Sequence, residues 1–165
     1  MVTSMVYSRL FIMRKDLDMS PGKLAAQVSH CAEAYWTNLI KANCTPEYIF
    51  IQEAEPGEQI QVKKYKIEMQ LDNDVYEQYV DGSFTKIICE AKNKYQLLKA
   101  KDKALSIGLI EGKDFGLIYD NCYTELIPEE EDGTTLTGIW FAPLPEETVR
   151  EISKKYQLYR RVYKK

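Results

Sequence analysis

A lysine stands in the first turn of a predicted helix, within the stretch SPGKLAAQ. Ser20 is a good N-cap and Pro21 fits the first helical position, while Gly22 leaves the backbone uncovered. The first N–H groups of a helix have no partner inside it and attract negative charge. The ammonium of Lys23 beside them makes a site suited to a phosphate or a developing oxyanion. Gln27 lies one turn further along the same helix face.

Two nucleotide-binding motifs with a similar appearance do not match these residues. A P-loop requires GxxxxGK followed by Ser or Thr, but no glycine stands five residues before Gly22, and Leu24 follows Lys23. No GxGxxG follows the first predicted strand, so a dinucleotide fold has no support. On its position alone, Lys23 has an equally good alternative interpretation as a lysine whose charged end reaches water.

The elements that position this lysine form a βα unit. Residues 6–13 include the apolar stretch LFIM, which is short, bounded by charge and typical of a buried strand. Apolar residues then recur at steps of three and four along one helical stripe, namely Leu24, Ala25, Val28, Ala32, Tyr35, Trp36 and Leu39.

Strands and helices continue to alternate along the chain. Residues 86–90 predict a strand. Asn93 is a candidate N-cap for a helix over residues 95–107, which Gly108 ends. This gives a βαβ arrangement with a right-handed crossover. Residues 116–120 and 135–141 predict two further strands. A helix is predicted from Pro145 onward, and residues 157–162 predict an edge strand or a tail. The prediction is an α/β fold with a mixed, mostly parallel β-sheet of about four strands flanked by helices on both faces.

The segment from about residue 43 to residue 81 fits this alternation poorly and predicts an insertion. Residues 49–51 and 63–71 alternate like strands, whereas residues 74–80 can form a helix. The chain has 165 residues, is 45% hydrophobic and shows no internal repeat or low-complexity linker. We therefore expect a single domain over residues 1–165, with the insertion packed on the same core.

The cysteines stand at Cys31, Cys44, Cys89 and Cys122, without a CxxC pair, and the chain has one histidine. This pattern indicates neither a zinc site nor a disulfide framework, so we expect no metal and no cofactor. Reduced thiols suit a cytosolic protein. The N-terminus has no signal pattern and no apolar run approaches about 18 residues, which predicts a cytoplasmic protein without a membrane partner.

The formal net charge of −3 does not favour a nucleic-acid partner, because phosphate binding usually draws on a basic surplus. Charge is nevertheless uneven along the chain. Lysines gather in residues 92–103, residues 154–165 are basic, and residues 129–132 form an acidic run. On charge patterning alone, the lysines of this helix indicate a solvent-exposed helix face.

Four stretches of the sequence resemble the type 2 peptidyl-tRNA hydrolases. The first, RKDLDMSPGKLAAQVSHCAEAYW at 14–36, is similar to the family pattern R-x-D-L-x-M-x-x-G-K-x-A-A-Q-x-S-H-A. The strand at 86–88 is similar to the family's K-I-V-L-K strand. LIYDNCYTEL at 117–126 and TLTGI at 135–139 are similar to I-x-D-A-G-x-T-x-I and T-V-L-G-I. The blocks share the family's order and spacing.

The resemblance implies a mixed sheet flanked by helices, and an enzyme that hydrolyses the ester between a nascent peptide and the 3′ ribose of tRNA without a metal. Peptidyl-tRNA is then the partner, and a homodimer is compatible with the sequence. By position, Lys23 is similar to the family's essential lysine and Asp120 to its acidic site residue. The predicted substrate-binding residues are Gly22, Gln27, Thr124 and Thr135.

Each of these positions also has an ordinary structural interpretation. Asp120 followed by Asn121 at a strand end is typical of an Asx turn. Thr124 and Thr135 can be plain strand residues. His30, seven residues after the site lysine, is interpreted as a core histidine or a neighbour of the site before it is considered as a base.

Departures from the family pattern leave two hypotheses. Cys122 and Tyr123 replace a glycine and an often basic residue, and the acidic run 129–132 is expected to weaken tRNA binding. Trp140 and Phe141 can stack on an unpaired 3′ end or, more in keeping with their type, pack in the core. The first hypothesis is a hydrolase of peptidyl-tRNA. The alternative is a non-catalytic RNA- or protein-binding module on the same fold.

Overall fold

The structure is a computed structural model that describes residues 6–52, 57 and 59–160. The predicted C-terminal segment 157–162 therefore lies partly outside the described residues. The described residues form eight strands and three α-helices. The strands are β1 (Tyr7–Arg14), β2 (Cys44–Gln52), β3 (Gln59–Ile67), β4 (Thr85–Ala91), β5 (Phe115–Asp120), β6 (Thr135–Phe141), β7 (Leu144–Pro145) and β8 (Gln157–Leu158). The helices are α1 (Pro21–Ala42), α2 (Lys94–Ser106) and α3 (Glu146–Ser153).

The main sheet has the order β5-β6-β1-β4-β8, with β7 also paired to β1. β1 and β4 are parallel, as the βαβ crossover requires, whereas the other pairs of this sheet are antiparallel. The predicted mixed α/β sheet is confirmed. The parallel share is smaller than expected because β6 pairs antiparallel with both β1 and β5, and β8 pairs antiparallel with β4.

Helices cover both faces of the sheet, as predicted. α1 packs its apolar stripe on one face, in a cluster made by Phe11, Met13, Cys31, Tyr35, Trp140 and Ala142. α2 and α3 cover the other face around Leu10, Ile12, Leu97, Phe115, Leu136, Ile139, Phe141, Val149 and Ile152. Successive residues of β1 and β6 therefore point into different clusters, which accounts for their continuous apolar character.

Helix boundaries follow the capping residues that the sequence indicates. Ser20 accepts a hydrogen bond from the backbone N–H of Lys23 at 3.2 Å. Asn93 accepts one from Gln96 N–H at 2.9 Å, so α2 begins one residue before the predicted helix. Among the described residues no helix is both long enough and apolar enough to cross a bilayer.

The predicted insertion contains a hairpin and an irregular helix. Among the described strands, β2 and β3 pair only with each other, and their side chains are largely exposed, including Tyr48, Phe50 and Tyr65. A π-helical segment, Val75–Ser83, follows and buries Tyr79 completely. The main sheet and α1 reach the candidate site without a contribution from the hairpin.

Candidate active site

Lys23 and Asp120 meet where the start of α1 faces the end of β5. The Lys23 Nζ and Asp120 Oδ2 atoms are 2.7 Å apart, and the two side chains are 13% and 10% exposed. Lys23 Nζ also lies 3.4 Å from the Thr124 hydroxyl oxygen. The fold thus joins the predicted catalytic pair and one predicted substrate-binding residue in one polar cluster.

The loop after β5 is fastened to the start of α1 through Glu125. Its carboxylate accepts hydrogen bonds from the Ser20 backbone N–H at 2.5 Å and from the Ser20 hydroxyl at 2.7 Å. These hydrogen bonds hold the pKa of Glu125 below its usual value. Helix α1 has no acidic residue in its first turn, so Glu125 supplies the negative charge that the helix dipole favours there.

The two carboxylate oxygens of Asp120 have different partners. Oδ1 accepts a hydrogen bond from the Cys122 backbone N–H at 2.9 Å, which is the bond of an Asx turn. Cys122 adopts a left-handed conformation with φ of 58° to close that turn. Oδ2 faces Lys23, so the Asx turn and the ion pair coexist and the turn aims the carboxylate.

Gln27 holds the carboxylate from the other side. Its side chain is 1% exposed, and Nε2 donates a hydrogen bond to Asp120 Oδ2 at 2.7 Å. Gln27 Oε1 accepts a hydrogen bond from the Thr137 hydroxyl at 2.7 Å. Thr137 lies fully buried in β6 and was not among the predicted site residues. The one sequence signal for it was a hydroxyl within a buried strand, which needs a partner.

The environment of Asp120 keeps it ionised at neutral pH. Burial raises its pKa, but the hydrogen bonds from Lys23, Cys122 and Gln27, together with the Lys23 charge, outweigh burial and lower the pKa below its ordinary value. A carboxylate has about four lone-pair positions, and these donors occupy three of them. Oδ1 therefore retains room for one more donor, such as a water molecule.

A cleft of about 230 Å³ opens beside the ion pair. It is lined by Lys23, His30, Tyr119, Asp120, Asn121, Cys122, Tyr123 and Thr124. His30 is exposed at this cleft and is not a core residue. Tyr119, 47% exposed, and Tyr123, 87% exposed, were not predicted to belong to the site.

Three predicted substrate-binding residues, Gly22, Gln27 and Thr135, lie outside the lining of this cleft. Gly22 is exposed, and no other atom lies within 4 Å of the position that a Cβ would take. Thr135 is fully buried; its hydroxyl donates to the Ile127 carbonyl at 2.7 Å and accepts from the Glu129 N–H at 3.0 Å. Thr135 thereby fastens the loop after the site. Substrate contacts by Gly22, Gln27 and Thr135 stay predictions.

The acidic run 129–132 is less of an obstacle to an anionic partner than its sequence suggests. Glu129 binds the buried guanidinium of Arg14, and Glu130 binds Lys94. Two of the four carboxylates thus have a cationic partner within the fold, although Arg14 also pairs with Asp16. The expectation that the run weakens tRNA binding stays a prediction, because the sequence alone does not reveal these partners. The main argument for a non-catalytic binding module is correspondingly weaker.

Trp140 and Phe141 do not form a stacking surface. Their side chains are 2% and 0% exposed, and they point into the two core clusters on opposite sides of the sheet. A Cβ on Gly116 would come within 2.7 Å of the Trp140 indole, which shows how closely this ring packs on β5. Core packing, the favoured interpretation of these residues, is confirmed.

Replacing Gln27 with Leu is expected to raise the pKa of Asp120, because a hydrogen bond that stabilises the carboxylate is lost. Since the folded-state pKa is depressed, this carboxylate stabilises the fold above its unfolded-state pKa, and the contribution disappears as pH falls through the folded-state pKa. NMR titration of the aspartate carboxyl carbons measures the shift, with the exposed Asp102 as the internal control. An unchanged Asp120 titration would show that the Gln27 hydrogen bond does not act on the carboxylate.

Comparisons with known proteins agree with this site. The family model described as Peptidyl-tRNA hydrolase PTH2 matches residues 7–159. A protein named Peptidyl-tRNA hydrolase from Thermoplasma acidophilum is 27% identical over 154 residues, covering 93% of this chain and 99% of the relative. Its namesake from Thermoplasma volcanium is 29% identical with the same coverage. One from Sulfolobus acidocaldarius is 27% identical over 147 residues, covering 89% and 95%.

The family match spans both halves of the candidate site, from the start of α1 to the strands β5 and β6. Lys23, Gln27 and Asp120 all lie inside it. The chain therefore belongs to the peptidyl-tRNA hydrolase PTH2 family.

Proposed function

We propose that this protein hydrolyses the ester between a peptidyl group and the 3′ end of tRNA and releases free tRNA. The relatives named above carry this activity in their names. The observation that carries the proposal is the Lys23–Asp120 pair at 2.7 Å beside an open cleft. Removing one carboxylate or one ammonium from such a pair tests the proposal directly.

Lys23 stabilises the negative charge that develops on the ester carbonyl oxygen under attack by water. An ammonium has three N–H donors. In this site one is directed to Asp120 and a second to Thr124. The third is left for the substrate carbonyl, where a fixed donor stabilises the transition state more than the ground state. Because Thr124 accepts from Lys23, its own hydroxyl proton is available to the substrate.

Asp120 orients the attacking water through the unoccupied position on Oδ1. Its lowered pKa makes it a weak base, so its main contribution is to hold the water and to keep Lys23 in place. Gln27 and Cys122 fix the carboxylate before substrate binds. These roles are filled by side chains, so we expect a chelator to leave the rate unchanged.

The test is the release of tRNA from an N-acetyl-aminoacyl-tRNA, followed on an acid gel. Wild type should convert the substrate fully. Asp120→Asn should slow the reaction about a hundredfold, the usual effect of losing one charged group in a preorganised site. Asp102→Asn, on the exposed face of α2, is the matched control. Equal rates in all three proteins, or no hydrolysis by wild type, would refute the proposal.

This function places the protein where peptidyl-tRNA arises, so a cytoplasmic location is part of the proposal. A homodimer stays a prediction, which light scattering of the purified protein checks. Neither the cellular location nor the oligomeric state affects the chemistry assigned to Lys23 and Asp120.

A further inference from the structure

β5 is an edge strand that runs directly into the candidate active site. Among the described strands its only neighbour is β6, so one side of β5 has no pairing strand. The strand ends at Asp120, whose carboxylate binds Lys23. An open strand edge is a ready template for pairing with another extended chain.

The hydrogen bonds of β5 show which of its backbone groups face the open side. The Asp114 carbonyl accepts from Ala142 N–H at 2.8 Å, and the Ile118 carbonyl oxygen faces β6, 3.2 Å from the Thr137 hydroxyl oxygen. The Phe115 carbonyl accepts instead from Gly112 N–H at 2.7 Å, on the opposite side. Because backbone groups of alternate residues in a strand point the same way, the N–H and C=O of Leu117 face the open edge.

A groove of about 480 Å³ follows this edge. Ala34, Thr37 and Asn38 of α1 form one wall, and Gly116 to Tyr119 form the floor. Tyr119 lines both this groove and the catalytic cleft, so the two spaces are neighbours at this residue. The charged residues of the groove, Lys101 and Glu111, pair with each other at 2.8 Å. A neutralised groove suits a peptide backbone better than a polyanionic RNA strand.

The open edge has a defined length. From Asp120 to Leu117 the strand rises about 10 Å at roughly 3.3 Å per residue, with a register shift between Ile118 and Tyr119. At Phe115 the edge closes, because Gly112 occupies the carbonyl. The edge therefore accommodates about three or four residues of an extended chain that starts at the ion pair.

We propose that the peptidyl part of the substrate lies extended in this groove and pairs with the edge of β5 as an added strand. This rests on the function proposed above and names the subsite that holds the peptide. Main-chain pairing provides affinity without selecting side chains. That property suits an enzyme whose substrates carry peptides of varied sequence.

A substrate series with one to six residues attached to the same tRNA tests the proposal. KM should fall by about tenfold between one and four residues, as expected for one or two net hydrogen bonds, and should then level off. A KM that is independent of peptide length would overturn the subsite. Failure to hydrolyse even the one-residue substrate would instead refute the proposed function, so the two failures are distinguishable.

N-methylation of single backbone nitrogens in the tetrapeptidyl substrate gives a second test without altering the protein. Strand pairing predicts that KM rises about fivefold when methylation blocks a nitrogen that faces β5, and little at the neighbouring positions. A rise in KM at alternate residues only is the pattern expected of a paired strand. An equal rise in KM at every position, or no rise at any position, would contradict pairing with β5.

Leu117→Pro removes the outward N–H while leaving the β6 side of the strand intact, and proline is tolerated at such edge positions. KM for the tetrapeptidyl substrate should rise about fivefold, and clearly more than KM for the one-residue substrate. Leu117→Ala controls for the lost side chain. If Leu117→Pro altered only the molar mass in light scattering, the edge would pair with a second copy and the proposal would fail. If this variant did not fold, the methylated substrates would decide.

Discussion

Lys23→Met is expected to lower kcat for peptidyl-tRNA by about a hundredfold to a thousandfold, the range found when one donor to a developing oxyanion is removed. Methionine retains much of the length of the side chain but carries no charge and no N–H donor. The Asp120 carboxylate keeps its hydrogen bonds from Cys122 and Gln27, so the loop should remain in place. Steady-state kinetics with a single peptidyl-tRNA measures the change.

KM separates this role from simple substrate binding. A group that acts only in the transition state changes kcat and leaves KM nearly unchanged. Lys154→Met, an exposed lysine just after α3, is the matched control for charge lost elsewhere on the surface. A raised KM with normal kcat in Lys23→Met would mean that Lys23 only holds the tRNA.

Arg14→Met should have the largest effect on stability, about 2 to 3 kcal/mol in the free energy of unfolding. Arg14 ends β1, and its side chain is 3% exposed. It binds Asp16, the carboxylate of Glu129 and the Leu136 carbonyl, so it ties β1 to β6 and to the loop after the site. The expected value lies below that for a fully buried pair because both carboxylates are about one third exposed and partly screened by solvent.

Urea unfolding of wild type and Arg14→Met measures this difference. Lys103→Met is the control, since its pair with Glu151 is more exposed and should cost at most about 1 kcal/mol. The Arg14 hydrogen bonds lower the pKa of Glu129. The stabilisation is therefore complete above the unfolded-state pKa and shrinks as pH falls through the folded-state pKa. Equal losses in the two variants would show that the Arg14 cluster is no stronger than a surface pair.

Local signals predicted the elements that position the catalytic pair. Ser20 and Asn93 cap helices because their side chains satisfy N–H groups within the next turn, which sequence shows directly. The strand at residues 135–141 was predicted with its observed bounds, because buried strands are apolar on both faces. The meeting of Lys23 and Asp120 came from the resemblance to a family, since nothing local brings the two residues together.

Features that depend on contacts distant in sequence escaped prediction for a physical reason. The partner of Thr137 is Gln27 on another element, and that of Glu129 is Arg14 on β1. Neither pair has a periodic or sequential pattern. Antiparallel pairing of β5 with β6 depends on the path of the connecting loop, where propensities of single residues carry little information. The open edge of β5 could not be predicted from the sequence for the same reason.

A double-mutant cycle in kcat tests the central claim most directly, namely that Lys23 and Asp120 act as one unit on the ester. Wild type, Lys23→Met, Asp120→Asn and the double variant are compared with one peptidyl-tRNA under single-turnover conditions. The ion pair at 2.7 Å predicts that the double variant is about as slow as the slower single variant, because residues that act together lose their effect together. If kcat of the double variant fell by the product of the two single reductions, the two residues would act independently, which would contradict the account.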